Sequence, residues 1–222
     1  MQKFATATPI TAVLAIPAGR VRIIAGDQDH TTVEVKPVDA GKSRDVKAAE
    51  QTTVAYDNGV LRVESPMSNQ YFGPSGSLDV TVELPAGSRI EAKAGSAEFR
   101  TSGRLGDVTF DGAHGTAHLE ETAGLRLTVQ VADVSVGRLA GDSHITVAKG
   151  DIHIAEAHHG TLTLRTEAGH ITVGAAPGVS ATLDAGTSYG RVQNALHNTE
   201  GAASPLNIHA TTSYGDITAR AL

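Results

Sequence analysis

The amino-acid sequence predicts an all-β fold in which most of the chain forms a parallel β-solenoid of stacked coils. The composition points this way: 24 of the 222 residues are glycine, and aromatic residues make up only 4%. Val, Ile and Thr recur in short alternating stretches, which is typical of strands separated by turns. In addition, a strand–turn–strand unit repeats about every 20 residues, a period that is typical of solenoids.

The first 87 residues contain strands but no regular repeat. Asp57-Asn58-Gly59 predicts a tight hairpin, and one short helix is predicted at Arg44–Gln51. The predicted strands are Thr11–Ile24, which includes a Pro-Ala-Gly corner, Thr31–Lys36, Val54–Tyr56, Val60–Val63 and Leu78–Leu84. Because the end of a solenoid must be covered, we interpret residues 1–87 as an irregular, β-rich capping region. It is continuous with the solenoid of residues 88–222, and the two are best treated as one domain.

Each unit of the repeat begins with a small residue, and apolar residues follow it two and four positions later. This spacing predicts about seven coils, with parallel pairing of Val134 with Ile152 and of Ile152 with Ile171, all three pointing inward. A Greek-key sandwich, which also has regularly spaced short strands, is the alternative fold. The small residues are Gly95, Gly115, Ala132, Gly150, Gly169, Gly190 and Gly215, at intervals of 17 to 25 residues.

The tetrapeptide Thr-Ser-Tyr-Gly occurs twice, at Thr187–Gly190 and at Thr212–Gly215. We interpret the copies as equivalent corners of successive coils, with Tyr189 and Tyr214 stacked in one column. The second copy is then expected in the last coil, so an alanine at its glycine should be tolerated better than one in the first copy. The alternative is a ligand-binding motif with both tyrosines exposed. The predicted structural corners are Gly150, Gly169, Gly190 and Gly215.

Charge and composition exclude several classes of function. The net charge of −6 argues against a nucleic-acid partner, because phosphate binding requires a basic face. The absence of cysteine removes disulfides, thiolate metal sites and cysteine nucleophiles. The N-terminus lacks a continuous apolar segment of signal-peptide length, and no apolar run is long enough to span a bilayer. We therefore expect a cytoplasmic protein, with non-classical export as the alternative.

Five segments carry a resemblance to a known family: Ala48–Thr52, Val80–Gly95, Gly103–Val108, Gly150–Ile152 and Thr212–Ile217. They resemble the bacterial putative-adhesin family, a domain of unknown function built from β-strand repeats, and in particular its actinobacterial members without a signal peptide. The resemblance covers nearly the whole chain and implies a right-handed β-solenoid with no known catalytic residues. The Gly-Asp-Ile motif at Gly150–Ile152 is degenerate elsewhere, because His170 and Arg191 replace the aspartate.

The candidate site residues are few. Ten histidines suggest a metal site, but His118 and His153 are predicted two coils apart, too far for shared ligation. His209 is predicted to neighbour Asp184. The glycine-flanked aspartates suggest turn chemistry rather than a glycosidase pair, with Asp151 and Asp216 predicted three coils apart. The candidate interaction loop contains Met67, Tyr71 and Phe72, which would alternatively cap an end of the solenoid.

These observations predict no catalytic, cofactor-binding or metal-ligating residues and no cofactor. We interpret the chain as a non-enzymatic β-solenoid scaffold that binds an unknown protein or glycan. One alternative is a structural polymer that self-associates end to end or through exposed strand edges. A polysaccharide-active β-helix enzyme is the other alternative, although no column of the repeat clusters the acids that it would need.

Overall fold

The computed structural model describes residues 1–66 and 76–222. The chain divides into two compact units, Met1–Thr116 and Ala117–Leu222, and the sequence-based boundary between Gly87 and Ser88 lies inside the first. The described residues are mostly strand, with one α-helix and one 3-10 turn at Gly201–Ala203. The prediction of an all-β fold is confirmed. None of the helices in these residues is long and apolar enough to cross a bilayer.

The first unit is built around strand β2 (Thr11–Gly26), which follows the short strand β1 (Gln2–Ala5). On one side β2 pairs in parallel with the beginning of β7 (Arg89–Leu139). On the other side it pairs in parallel with β5 (Val60–Glu64) and then with β6 (Leu78–Pro85). Alternate residues of these strands point inward and form the core, which includes Leu14, Ile16, Val21, Ile23, Leu61, Val80, Ile90 and Phe99.

Antiparallel strands complete the first unit. β3 (His30–Pro37) pairs with β6, β1 pairs with β3, and β4 (Thr53–Asp57) pairs with β5. The β4–β5 turn has positive φ at Asn58 (49°) and Gly59 (79°), as a tight type I′ hairpin requires. The helix α1 (Ser43–Gln51) contains the predicted helix. The predicted hairpin, helix and strands of this region are confirmed, because their bounds agree with the structure to within about two residues.

In the second unit each coil contributes one strand to each of two parallel rows. One row contains the end of β7, β8 (Ser143–Lys149), β10 (Gly160–Ala168), β14 (Leu206–Tyr214) and β12 (Ala181–Tyr189). The other contains β7, β9 (Ile152–Ala157), β11 (Ile171–Ala175), β15 (Ile217–Ala221) and β13 (Val192–Ala195). Val134 pairs with Ile152 and Ile152 with Ile171, all buried, as predicted. This parallel pairing excludes a Greek-key arrangement for these strands.

The last two coils stack in the reverse of their order in the sequence. β14 and β15 pair with β10 and β11 on one side and with β12 and β13 on the other. The expectation that Gly215 lies in the last coil is therefore wrong, because the coil of Gly190 is outermost. The connections before β12 and before β14 meet where the Oγ atoms of Ser180 and Ser204 lie 2.9 Å apart.

Candidate functional site

The two Thr-Ser-Tyr-Gly copies lie side by side in the second unit and form what we call the tyrosine corner, Thr187–Arg191 and Thr212–Asp216. The copies pair in register, with Thr187 opposite Thr212 and Tyr189 opposite Tyr214. The repetition of the motif therefore reflects two adjacent coils that share one corner geometry. The coil that contains the second copy is the inner one.

The glycines of the corner allow the coils to approach closely. Gly215 has a φ of +148°, and a Cβ built on it would lie 2.0 Å from the carbonyl oxygen of Gly169 in the next coil. A Cβ on Gly190 would lie 1.9 Å from the carbonyl oxygen of Gly215, and the φ of Gly190 is not positive. A side chain at either position would collide with backbone, but only Gly215 also has a conformation that L-residues disfavour.

The threonines of the motif bind the corner glycines of neighbouring coils. Thr212 Oγ1 donates a hydrogen bond to the Gly169 carbonyl, and Thr187 Oγ1 donates one to the Gly215 carbonyl, each at 3.0 Å. Thr166, in register with Thr212, donates to the Gly150 carbonyl at the same distance. These hydroxyls fix one coil on the next at the corner, and Thr166 and Thr212 are buried.

The threonine hydrogen bonds form one ladder between coils, the threonine ladder. The residues that follow the corner glycines form a second one, the aspartate ladder. The Asp151 N–H donates to Asp133 Oδ1 at 3.0 Å, and the His170 N–H donates to Asp151 Oδ1 at 2.7 Å. These bonds cross between coils, whereas local turn bonds were expected. Asp151 and Asp216 are separated by His170, which makes them two coils apart rather than the predicted three, because the last coils are reversed.

The ladder explains why the Gly-Asp-Ile motif is degenerate. His170 Nδ1 accepts the hydrogen bond of the Asp216 N–H at 3.0 Å, so a histidine performs the acceptor role of aspartate. Asp216 Oδ1 in turn accepts the Arg191 N–H at 2.9 Å. Arg191 lies in the outermost coil, where no further N–H of the described strands requires an acceptor.

Tyr189 and Tyr214 form an exposed aromatic pair. Their ring centroids are 4.9 Å apart with an interplanar angle of 4°, and their exposed fractions are 68% and 60%. The expected stacking is confirmed, and so is the exposure that the ligand-binding alternative requires. Beyond Tyr214 the same column continues to Ala168 and then to Lys149.

The outermost coil has open strand edges. Within the part of the chain that the structure describes, β12 and β13 each pair with one strand. All four residues of β13 are exposed, and Leu183 of β12 is only half-buried. An open edge presents unpaired backbone N–H and C=O groups to solvent.

The other predicted site residues do not form a cluster. His118 and His153 are exposed, and among the described residues no group of three or more His, Asp or Glu could hold a metal ion. His209 Nδ1 lies 3.3 Å from Asp184 Oδ2, which confirms the predicted neighbours, but both side chains are largely exposed and such pairs contribute little stability. The loop residues Met67, Tyr71 and Phe72 lie outside the described residues.

Two carboxyl groups in the first unit have pKa values that depart from the usual range. The side-chain hydrogen bond from the His30 ring lowers the pKa of Asp29, and the backbone hydrogen bond from Gly41 lowers the pKa of Asp39. Asp29 is exposed and Asp39 is half-buried, and both lie in connections between secondary-structure elements. They stabilise local turn geometry and are not part of the tyrosine corner.

Sequence reasoning missed the polar ladders at the corner. The threonine ladder has a sequence signal, because Thr stands three positions before Gly169, Gly190 and Gly215. The aspartate ladder is harder to detect, since a histidine replaces one of its four acceptors and the partner of each acceptor depends on the spatial order of the coils.

Parallel coils joined at such corners define a β-solenoid-like class of all-β protein. The family model described as Toastrack DUF4097 matches residues 14–221, and the chain belongs to this family, whose function is unknown. A comparison with curated proteins finds no match.

Two solved structures of bacterial proteins are similar to this chain. A putative adhesin from Bacteroides fragilis is similar at 12% identity and a TM-score of 0.55, over 98% of this chain and 95% of that one. A putative adhesin from Parabacteroides distasonis is similar at 10% identity, with a TM-score of 0.44 and the same coverage. At 12% identity, the similarity to the Bacteroides fragilis protein shows only a shared fold.

Proposed function

We propose that this protein is a non-enzymatic scaffold for binding or adhesion, with the tyrosine corner as a contact surface and a protein or glycan as its ligand. As part of this proposal, the scaffold is a right-handed β-solenoid of about seven coils. The observation that carries it is the exposure of Tyr189 and Tyr214 as a stacked pair. An aromatic ring left in water forgoes roughly 1.5–3 kcal/mol of burial free energy, which a bound partner would recover.

The chemistry of the pair suits ligands with apolar C–H groups. The face of an aromatic ring carries partial negative charge, and the C–H groups of a sugar ring or an aliphatic side chain carry partial positive charge. The two rings lie in parallel planes and stack on each other, so a ligand would contact their outer faces and edges, and the phenol hydroxyls add hydrogen-bonding groups. The likeness to proteins described as adhesins agrees with a binding role.

A glycan array tests the proposal, with a reducing-sugar release assay run in parallel. Wild-type protein should bind a subset of glycans and release no reducing sugar. The double variant Y189A/Y214A should lose binding by about tenfold or more, while its melting temperature stays close to that of the wild type. The matched control is Val131→Ala, an exposed apolar residue on β7. Release of reducing sugar would favour the enzyme alternative, and unchanged binding of neutral glycans by the double variant would refute the role of the tyrosines.

Self-association is a second candidate function, and the open edges of β12 and β13 favour it. Edge strands pair readily with strands of another chain, and a charge on the edge suppresses that pairing. Size-exclusion chromatography with light scattering across a range of concentrations should show oligomers that the Val192→Lys variant lacks. Val192 is 44% exposed, so the substitution should leave the fold intact. A concentration-independent monomer would exclude this candidate.

A further inference from the structure

Three arginines lie together on the outer face of the first unit. Arg20 and Arg22 alternate with the buried Val21 on β2, so their side chains share one face. Arg22 pairs directly with Arg100 of β7. Like charges on directly opposite positions of neighbouring strands destabilise a sheet. Negative charge nearby is therefore needed to offset the repulsion between the guanidinium groups.

Nearby carboxylates neutralise only part of the positive charge of the three arginines. Asp79 forms ion pairs with both Arg20 and Arg22, with N–O distances of 3.2 and 3.0 Å. Glu98 pairs with Arg100 through its Nε. Three guanidinium groups therefore face two carboxylates, which leaves one positive charge. Each pair engages one nitrogen of a guanidinium that carries five N–H donors, and about half or more of each arginine side chain is exposed.

These arginines line a surface cavity. Arg20, Arg22, Glu98 and Arg100 surround a volume of about 210 Å³. A second, more open cavity of about 370 Å³ adjoins it and shares Arg20 and Glu98. The wall of the second cavity includes the serines Ser77 and Ser96 and the small residues Gly19 and Gly115. The first cavity thus offers cationic donors, and the second offers polar groups beside a wall of small residues.

We propose that the two cavities form a binding site for an anionic saccharide. Its carboxylate or sulfate group binds between Arg22 and Arg100, since planar guanidinium groups match two-oxygen anions. Its ring lies in the larger cavity, where the serine hydroxyls and Glu98 can bond to sugar hydroxyls. The anion also relieves the repulsion between the paired arginines. A net charge of −6 disfavours a long polyphosphate backbone as the ligand.

Isothermal titration calorimetry with four probes tests this site: a sulfated glycosaminoglycan disaccharide, digalacturonate, neutral cellobiose and sodium sulfate. We expect at least one anionic disaccharide to bind, with affinity that falls as salt is added. Cellobiose should not bind, and sodium sulfate should bind more weakly than the disaccharide. The R22Q/R100Q variant should lose about tenfold or more in affinity. The control Arg165→Gln, an exposed strand arginine in the second unit, should bind as the wild type does.

Three results would overturn the proposal. The first is an affinity of R22Q/R100Q for the anionic disaccharide equal to that of the wild type. The second is an affinity for cellobiose equal to that for the anionic disaccharide. The third is an affinity for sodium sulfate equal to that for the disaccharide, which would mean that the site binds only a small anion. Circular dichroism melts establish that the variant is folded, and Arg100→Lys, which keeps the charge but removes the planar fork, provides a second variant with reduced affinity. Y189A/Y214A should bind the anionic probe normally, so failure of this site and failure of the tyrosine corner are distinguishable.

Discussion

Replacing Gly215 with alanine tests the spatial order of the coils. The residue has a φ of +148°, and its added Cβ would meet the Gly169 carbonyl oxygen at 2.0 Å. The disfavoured conformation costs about 1–3 kcal/mol, and the backbone shift needed to relieve the contact costs about as much again. Because coils pack on both sides of Gly215, it cannot move freely. We expect a loss of roughly 3–5 kcal/mol in the free energy of unfolding.

Gly190→Ala should be milder, although its Cβ would be just as close to backbone. Its φ is not positive, and its coil is outermost, where local displacement is cheaper. We expect about 1–2 kcal/mol. Gly186→Ala, on the same strand row and with no atom within 4 Å of the new Cβ, is the control and should be neutral or slightly stabilising.

Urea unfolding and thermal melts of the three variants provide the measurement. For a chain of this size each kcal/mol corresponds to roughly 2–4 °C in melting temperature, so Gly215→Ala should melt about 10 °C below the wild type. A larger loss for Gly190→Ala than for Gly215→Ala would contradict the reversed coil order. Equal and negligible losses would refute the argument from close backbone approach.

Three further predictions concern single hydrogen bonds. His170→Ala should cost about 1 kcal/mol, because the Asp216 N–H loses its acceptor, and His170→Asp should restore most of it; urea unfolding measures both. Thr212→Val should cost about 1 kcal/mol and speed amide hydrogen exchange at the corner, whereas unchanged exchange would contradict the ladder. Asp29 should titrate below its usual pKa by NMR, and His30→Ala should raise that pKa. The small stability that this carboxylate contributes is present above its unfolded pKa and is lost as pH falls through the lower folded value.

The sequence pattern predicts the local elements well because each depends on neighbouring residues. The hairpin at Asn58-Gly59, the helix at Ser43–Gln51 and the pairing of Val134 with Ile152 follow from turn chemistry and alternation. The order of the coils does not follow, because units with equivalent strands and corners can exchange places without altering any periodicity. The interval of 25 residues between Gly190 and Gly215 is longer than the other intervals of the repeat, and it is the one feature of the sequence that coincides with the reversed coils.

The candidate sites were harder to predict for the same reason. That Tyr189 and Tyr214 stack follows from the repeated motif, but their exposure depends on whether any other part of the chain packs against the corner, which a local motif does not indicate. The cluster of Arg22 and Arg100 depends on pairing between strands that are far apart in the sequence. Alternation of Arg20 and Arg22 around Val21 was the local signal, and it could not indicate which residue lies opposite.

The reversed order of the last two coils constrains how the chain is completed during synthesis. Residues 181–195 leave the ribosome before residues 206–221, yet the later segment separates them from β10 and β11. Until residues 206–221 emerge, the earlier copy of Thr-Ser-Tyr-Gly has the vacant corner beside Gly169 available to it, and the two copies are nearly identical in sequence. Correct assembly therefore requires that the second copy, and not the first, occupies the position beside Gly169, so two nearly identical segments compete for one position during folding.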